Sequence, residues 1–372
     1  MKIVHIITSM NKGGAETSLF KILKYSSSAN ADIRHNIISF SNTNYYEKEI
    51  KELGYNFYKV NFKNKFFFYY YFFSLYKLLK MIKPDVVQCW MYHSCLLGGM
   101  ASKLLKVNKI IWCIRHSNYQ LYKTKFLTIL IIKFCAIISK IIPTDIVYCS
   151  SSSSNFHKSI GYDNNKKKLI FNGYDADYFK TNVNKNLFTN KPVIFGLIGR
   201  YNPQKNHELF IHSLSNIIKK NKSINIKVYM YGKNIDCNNK SLNKLINSYN
   251  LESIIMLKGY CEDVRKAYQS IDFLTLSSSF GESFPNVLAE AMLMGVPCIS
   301  TNIGEAKNIL SNYGKIVEID NSESLSKAIN DYYQLFKTPK KYYEISMLSR
   351  EHIKNNYSIK IMFTDYYKLW TQ

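Results

Sequence analysis

The sequence predicts an α/β protein of two doubly wound domains, each a parallel sheet covered by helices, facing across a cleft. Three observations carry that expectation. Short apolar runs alternate with helical stretches from the first residues onward, the pattern of strand–helix–strand crossovers. The alternation stops in a polar stretch rich in Asn and Lys, 177–190, and restarts at Val193. A length of 372 residues suits two domains of ordinary size. The expected division is 1–183 and 184–356, followed by an amphipathic helix at 357–372 rich in Tyr, Phe and Trp.

In the first domain the apolar runs place strands at 2–8, 35–40, 57–60, 85–90, 109–115, 145–149 and 168–171. The first strand feeds Ser9-Met10-Asn11-Lys12-Gly13-Gly14-Ala15-Glu16, whose glycines permit close backbone approach before a helix begins near Ala15. That loop lacks the third glycine of a dinucleotide-binding turn. In the second domain strands are expected at 193–199, 226–231, 254–257, 273–276, 297–300 and 315–317. Ligand-binding loops in such domains leave the carboxyl ends of the strands.

The densest chemistry lies in Gly281-Glu282-Ser283-Phe284-Pro285-Asn286-Val287-Leu288-Ala289-Glu290, followed by Gly295 and Pro297. Pro285 suits the first turn of a helix, where its missing N–H leaves nothing unpaired, and Gly295 and Pro297 suit its end. A helix over 285–294 carries Glu290 on its body and leaves Glu282 on the loop before it. The N–H groups of its first turn attract a phosphate, whereas two carboxylates repel one unless they bind hydroxyls. A ligand with both a diphosphate and several hydroxyls, such as a nucleotide-sugar, resolves that conflict. A surface helix with two solvated glutamates is the competing reading. Arg200 and Lys205 follow a glycine turn at Gly199, one a bidentate fork for phosphate oxygens and the other a mobile point charge. In a lysine-rich chain the two also read as solvated cations.

Glu282 and Glu290, with Phe284, Pro285 and Asn286 between them, resemble the paired-glutamate signature of the retaining family-4 glycosyltransferases of GT-B fold, which have two Rossmann-like domains. Gly13-Gly14-Ala15-Glu16 is similar to that family's glycine-rich N-terminal loop. Asn172-Gly173-Tyr174-Asp175 is similar to the segment closing its first domain. Gly199-Arg200 with Pro203-Gln204-Lys205-Asn206-His207 is similar to its phosphate-binding segment. These segments keep the family's order, and the resemblance runs from about residue 2 to about residue 320.

The resemblance implies transfer of a sugar from a nucleotide-diphosphate sugar, a UDP-sugar, to a lipid-linked or cell-surface glycan acceptor. The catalytic set it implies is His116, Arg200, Lys205 and Glu282. Arg200 and Lys205 stabilise the leaving diphosphate, Glu290 accepts from ribose hydroxyls, and Glu282 touches the donor sugar. Backbone amides around Phe284, Pro285, Asn286 and Val287 contact the sugar or phosphates, and Gly13 and Gly14 approach the diphosphate from the opposite domain. His116 stands near the reacting centre and His93 lines the acceptor side, although a histidine at a strand end is by default a loop hydrogen-bonder. The last helix crosses back onto the first domain. No protein nucleophile, cofactor or metal is implied. Asp175-Ala176-Asp177 formally reads Asp-x-Asp, but beside Asn172-Gly173 turn and capping chemistry is the better account. Two alternatives stay open: a nucleotide-sugar epimerase of the same fold, and a non-catalytic basic protein binding membrane or nucleic acid on this scaffold.

Lys and Arg outnumber the acids 50 to 26, for a net charge of +24. Nucleic acid, an anionic membrane and a polyphosphate substrate each answer such a charge, as does plain compositional bias. No compact basic or aromatic-basic motif supports nucleic acid, so none is expected as a partner. Two segments sharpen the membrane reading. Residues 66–80 are densely aromatic with lysines beside them, and 126–142 are apolar except around Lys133 and Lys140, which lie seven apart on one helical face. Neither reaches the roughly 20 uncharged apolar residues of a spanning helix. Interfacial contact is the expectation for the first segment, because eight adjacent aromatics cannot all face inward on one helix, whereas the second equally suits an ordinary helix packed on a sheet, the more frequent case. The eight cysteines, with no Cys-x-x-Cys pair, read as reduced core residues of a cytosolic protein. Met1-Lys2 leads straight into a strand, so no signal peptide is expected. The location these features imply is cytoplasmic, peripheral on the inner face of the membrane.

Overall fold

The computed structural model describes residues 1–29, 31–60, 68–117, 125–181 and 191–372. They form two compact units: Met1–Gly173 with Ile359–Gln372, and Tyr174–Ser358. Residues 182–190 of the expected linker, and Phe66 and Phe67 of the aromatic run, lie outside the described residues.

The first unit runs β1 (Lys2–Ile7), α1 (Gly14–Ser28), β2 (Arg34–Ser39), α2 (Glu47–Glu52), β3 (Asn56–Lys59), α3 (Phe68–Ile82), β4 (Val86–Trp90), α4 (Tyr92–Leu104), β5 (Lys109–Ile114), α5 (Phe126–Ile138), β6 (Asp145–Tyr148), α6 (Ser151–Ser159) and β7 (Lys167–Leu169). Its seven described strands are parallel, in the order β3-β2-β1-β4-β5-β6-β7. Val4, Ile6, Val87, Cys89 and Trp112 turn to one face, beneath α3, α4 and α5. Ile3, Ile7, Trp90, Ile111 and Cys113 turn to the other, beneath α1. Both faces of the central strands are therefore buried, which is why these strands read as near-continuous apolar runs, interrupted at the buried His5 and Gln88, and not as an alternation.

The second unit runs β8 (Val193–Ile198), α7 (His207–Lys220), β9 (Ile226–Tyr231), α8 (Lys240–Ser248), β10 (Ile255–Leu257), α9 (Val264–Gln269), β11 (Phe273–Leu276), α10 (Asn286–Leu293), β12 (Cys298–Thr301), α11 (Ala306–Leu310), β13 (Lys315–Val317), α12 (Ser322–Phe336) and α13 (Pro339–Asn356). Its six described strands are parallel, in the order β10-β9-β8-β11-β12-β13. Phe195, Val228 and Phe273 of the sheet pack with Phe210 and Leu214 of α7 and Leu325 and Ile329 of α12. The chain leaves and re-enters the first unit at two adjacent points. Tyr174 N–H donates to Tyr357 O at 2.9 Å, and Tyr174 and Ser358 form an isolated parallel bridge.

The final helix, α14 (Ile359–Thr371), completes the first unit against α1. Trp370 Nε1 donates to Gln88 Oε1 at 2.7 Å, and Met362, Tyr366 and Leu369 are buried among β1, β4 and β5. All thirteen strands expected from the apolar runs form, each within two residues of its expected bounds.

Candidate active site

In the second unit the strand order reverses between β8 and β11, so the loops leaving those strands flank the point where such sheets bind ligands. Gly199 N–H donates to Tyr231 O at 2.8 Å, carrying the β8–β9 pairing one residue past the strand. Gly232, at φ +151°, abuts this turn: a Cβ on it would lie 2.1 Å from Gly199 O, so only glycine lets the Gly199–Arg200 backbone seat. Asn202 Oδ1 accepts from Lys205 N–H at 3.1 Å, and Pro203 opens a single 3-10 turn that brings the stem of Lys205 across Gly199. Asn206, left-handed at φ 43°, caps α7 by accepting from Leu209 N–H at 3.0 Å. Its amide donates to Ser279 Oγ at 2.7 Å, and Ser277 Oγ donates to Lys205 O at 2.8 Å. These bonds tie the loop after β8 to the loop after β11.

Glu282 stands on that second loop. Lys205 Nζ donates to Glu282 Oε1 at 2.6 Å, and Ser278 Oγ donates to the same oxygen at 3.0 Å. The lysine and glutamate side chains are only 14% and 12% exposed, so their charge-assisted bond is poorly screened by water. Gly304, at φ +55°, presses against the backbone beneath them: a Cβ there would lie 2.5 Å from Glu282 O. Glu305 N–H donates to Ser283 O at 3.1 Å. The loop is thus fixed through its backbone, and the Glu282 carboxylate through Lys205 and Ser278.

Pro285, expected inside the first helical turn, occupies the N-cap of α10 instead, because its ψ of 91° ends the incoming loop in extended form. Among the described residues no side chain caps α10 there, and its electropositive end follows the Glu282 loop. Glu290, on the body of α10, accepts from Tyr268 Oη at 2.9 Å. Burial, and then the nearby carboxylate, push the Tyr268 phenol well above its usual range, so it stays a neutral donor. Phe284 stacks on Tyr174 with centroids 6.3 Å apart and meets Tyr357 edge-on at 5.6 Å. Asn286 Oδ1 accepts from Tyr174 Oη. Val287 is half-buried, and Arg200 is exposed. Among the described residues the structure thus brings Lys205 and Glu282 together and holds Glu290 on Tyr268, and Arg200 makes no hydrogen bond or ion pair with either glutamate.

In the first unit the order reverses between β1 and β4. Gly13 holds the N-cap of α1. Glu16 folds back over it, with Ser9 Oγ donating to Glu16 Oε1 at 3.4 Å, and burial raises the carboxyl pKa. Gly14 has open space around its α-carbon. Met91, at φ 68°, turns the chain from β4 into α4, which places His93 in the first helical turn and not at the strand end. His93 is half-buried, and burial lowers its pKa, which favours the neutral ring. His116 is exposed two residues past β5, and its carbonyl accepts from Ser153 Oγ at 2.5 Å. Next to it Arg115 donates to Asn172 Oδ1 and, at 3.0 Å, to Tyr366 Oη. The Asn-Gly segment is thereby an anchor for the end of the first unit.

Sequence reasoning missed Tyr268, Ser277, Ser278, Gly232 and Gly304. Three serines in a row directly after an apolar strand, Ser277-Ser278-Ser279, were a visible sign of a polar site. Tyr268 lies on α9 with no pattern around it. Asp175 Oδ1 accepts from the N–H groups of Asp177 and Tyr178 at 2.9 and 3.2 Å, a turn in which that carboxylate is occupied by backbone.

Comparison with known proteins agrees with this anatomy. Residues 12–178 match the family described as Glycosyltransferase Family 4, and residues 192–334 match Glycosyl transferases group 1. The chain is 26% identical over 270 residues to the UDP-Gal:alpha-D-GlcNAc-diphosphoundecaprenol alpha-1,3-galactosyltransferase of Escherichia coli, covering 69% of this chain and 68% of that one. It is 26% identical over 316 residues to the capsular polysaccharide biosynthesis glycosyltransferase CapH of Staphylococcus aureus, covering 83% of each. Among solved structures, Anabaena Alr3699/HepE in complex with UDP superposes with a TM-score of 0.84 over 100% of both chains at 16% identity.

Proposed function

This chain belongs to the family-4 glycosyltransferases of GT-B fold, and from that premise we propose that it transfers a sugar, with retention and without a metal, from a UDP-sugar to a lipid-linked or cell-surface glycan. The observation that carries the proposal is the Lys205–Glu282 pair, one cation and one anion held at 2.6 Å at the topological switch point of the second unit. A pair so placed answers a ligand that brings its own phosphate and its own hydroxyls. The E. coli relative is named for a UDP-galactose donor and a diphosphoundecaprenol-linked acceptor, and CapH for capsular polysaccharide, which supports both halves of the reading.

In this mechanism the diphosphate draws Lys205 Nζ away from Glu282, and the freed carboxylate accepts from hydroxyls of the donor sugar. Arg200 grips a second phosphate oxygen, and the N-terminus of α10, through the N–H groups of Phe284, Asn286 and Val287 around Pro285, which has none, meets developing negative charge. Gly13 and Gly14 lend backbone N–H groups to the same diphosphate. Glu290, oriented by Tyr268, accepts from the ribose. Bond breaking builds positive character at the anomeric carbon and negative charge on the leaving phosphate, so contacts to that phosphate strengthen in the transition state. No protein nucleophile is assigned: the leaving phosphate takes the acceptor's proton on the same face of the sugar, which retains configuration. His116 and His93 serve the acceptor side, His93 in its neutral form. Backbone occupation of the Asp175 carboxylate supports a metal-independent reaction. The lipid-linked acceptor places the protein at the inner face of an anionic membrane, without a nucleic-acid partner.

The test is transfer from radiolabelled UDP-sugars to an undecaprenyl-diphosphate-linked acceptor, with anomeric configuration read by NMR. Release of UDP only when acceptor is present supports the transferase. Sugar epimerisation without any acceptor would replace it by the epimerase reading.

A further inference from the structure

The outer surface of α5 is apolar where a globular protein is ordinarily polar. Ile129, Ile132 and Cys135 pack inward against α4 and the sheet. On the opposite side Phe126, Leu130, Phe134, Ile137 and Ile141 recur at helical spacing and are between 46% and 75% exposed. Scattered exposed apolar residues need no explanation, but a continuous stripe marks an interaction surface. Exposed Lys125, Lys133 and Lys140 border it. Along the same layer Tyr69 and Phe73 of α3 are 77% and 56% exposed, while Tyr71, Leu75 and Leu79 of that helix turn inward. Among the described residues the aromatic run is thus divided between core and surface, and the longer exposed apolar stripe is that of α5.

Charge decides what covers the stripe. From residue 53 to residue 144 the chain carries fourteen Lys and Arg and a single acid, Asp85. Within that span α3, α4 and α5 carry Lys77, Lys80, Lys103 and Lys133 and no acid, and Lys125 and Lys140 flank α5, whereas Lys59 and Lys109 are paired with Glu47 and Asp145. Asp85, exposed just before β4, accepts from Lys2 N–H at 2.7 Å. The other layer of this unit is of mixed sign: α1, α2 and α14 carry Glu16, Glu47, Glu49, Glu52 and Asp365 among Lys21, Lys24, Lys48, Lys51, Lys360 and Lys368. A second copy of the chain docking here through a two-fold axis would set this cationic layer against itself. An anionic lipid surface has both matching properties, negative charge for the lysines and hydrocarbon for the stripe. No described helix is long and apolar enough to cross a membrane.

We propose that the α3–α4–α5 layer of the first unit is a docking face for an anionic bilayer, with the α5 stripe lying in the interface and Lys133 and Lys140 on lipid phosphates. This rests on the proposed function only in giving the docking a purpose, since vesicle binding is measured without turnover. The assay is co-sedimentation of the full chain with phosphatidylcholine vesicles, with and without about 30% phosphatidylglycerol. Binding is expected only to the anionic vesicles, weakening as salt rises. The combined variant Phe126→Ser, Leu130→Ser, Phe134→Ser and Ile137→Ser should bind at least about tenfold less tightly while its unfolding midpoint holds, because these side chains leave no cavity. Lys133→Glu with Lys140→Glu should weaken binding to anionic vesicles through charge alone. Absence of vesicle binding by the parent protein, or equal binding by the serine variant, overturns the proposal. A dimer seen by light scattering and broken by the same serines would also overturn it, assigning the face to a second copy. Transfer to a water-soluble acceptor analogue in the absence of vesicles reports separately on the function.

Discussion

Tyr268 donates a hydrogen bond of 2.9 Å to Glu290, so the two glutamates of the signature are held by unlike partners. Glu282 is held by a cation, Lys205, and Glu290 by a neutral phenol. A phosphate competes for the lysine but not for the phenol. In the proposed mechanism donor binding therefore breaks the bond of Glu282 to Lys205 and leaves that of Glu290 to Tyr268 in place.

The two glutamates should separate in binding measurements. Glu290→Gln is expected to weaken UDP and UDP-sugar alike by about tenfold, the loss of one hydrogen bond to a charged acceptor. Glu282→Gln should spare UDP, or tighten it slightly by freeing Lys205, while cutting turnover. Calorimetry with both ligands checks this, and equal losses for both ligands in both variants would refute the division.

Lys205 and Arg200 should differ in what else they disturb. Both →Ala variants are expected to lose roughly 2–4 kcal/mol of transition-state stabilisation, about 30- to 1000-fold in kcat/KM. Lys205→Ala should also lower the unfolding midpoint of the free protein, because it leaves the Glu282 carboxylate 12% exposed without its cation. Arg200, already exposed, should leave that midpoint unchanged. A midpoint unchanged in Lys205→Ala would mean the ion pair contributes nothing to the fold.

Transfer should continue in excess EDTA. Lys205, Arg200 and the α10 terminus supply the positive charge in the proposed mechanism, and Asp175 is committed to its own turn. Loss of turnover on chelation, restored by manganese, would bring Asp175 and Asp177 back as ligands.

Acid should destabilise the fold through buried histidines. Burial lowers His35 to about 3, and His157 and His207 to about 4. His157 Nδ1 lies 2.7 Å from Ser153 O and so donates to it, which leaves Nε2 to accept from Tyr92 Oη at 2.9 Å, an arrangement only the neutral ring can make. Below about pH 6.5 the unfolded chain protonates these rings and the folded chain does not. Stability is therefore expected to fall as the pH drops from about 6.5 toward 4, each ring contributing up to about 1.4 kcal/mol per pH unit. Urea midpoints at about pH 7 and about pH 5 measure this, and replacing His157 by Gln should flatten the dependence.

How far these features were legible follows from which forces set them. The strands were legible because both faces of a parallel sheet are buried, and burial writes itself as apolar runs such as Ile194–Ile198 and Phe273–Leu276. The glutamates and Lys205 stood out through the turn formers around them. Their partners did not: Tyr268 reaches Glu290 from a different helix, and Gly232 matters only because another loop rests on it. The balance between the two apolar segments was also hidden. Periodicity can count the faces of a helix, but on α5, apolar all round, it cannot say which face meets the sheet.

The return of α14 to the first unit has a consequence in time. Met362, Tyr366 and Trp370 belong to the same core as Ile3 and Ile7, so β1 awaits a helix made only after the whole second unit. Between them the whole of Tyr174–Ser358 must be synthesised, about 10–40 s at about 5–20 residues per second. During that interval the half of the sheet that α14 will cover is open to water, and the second unit, contiguous in sequence, can close first. The strands made first in this unit are thus the ones whose cover is completed late.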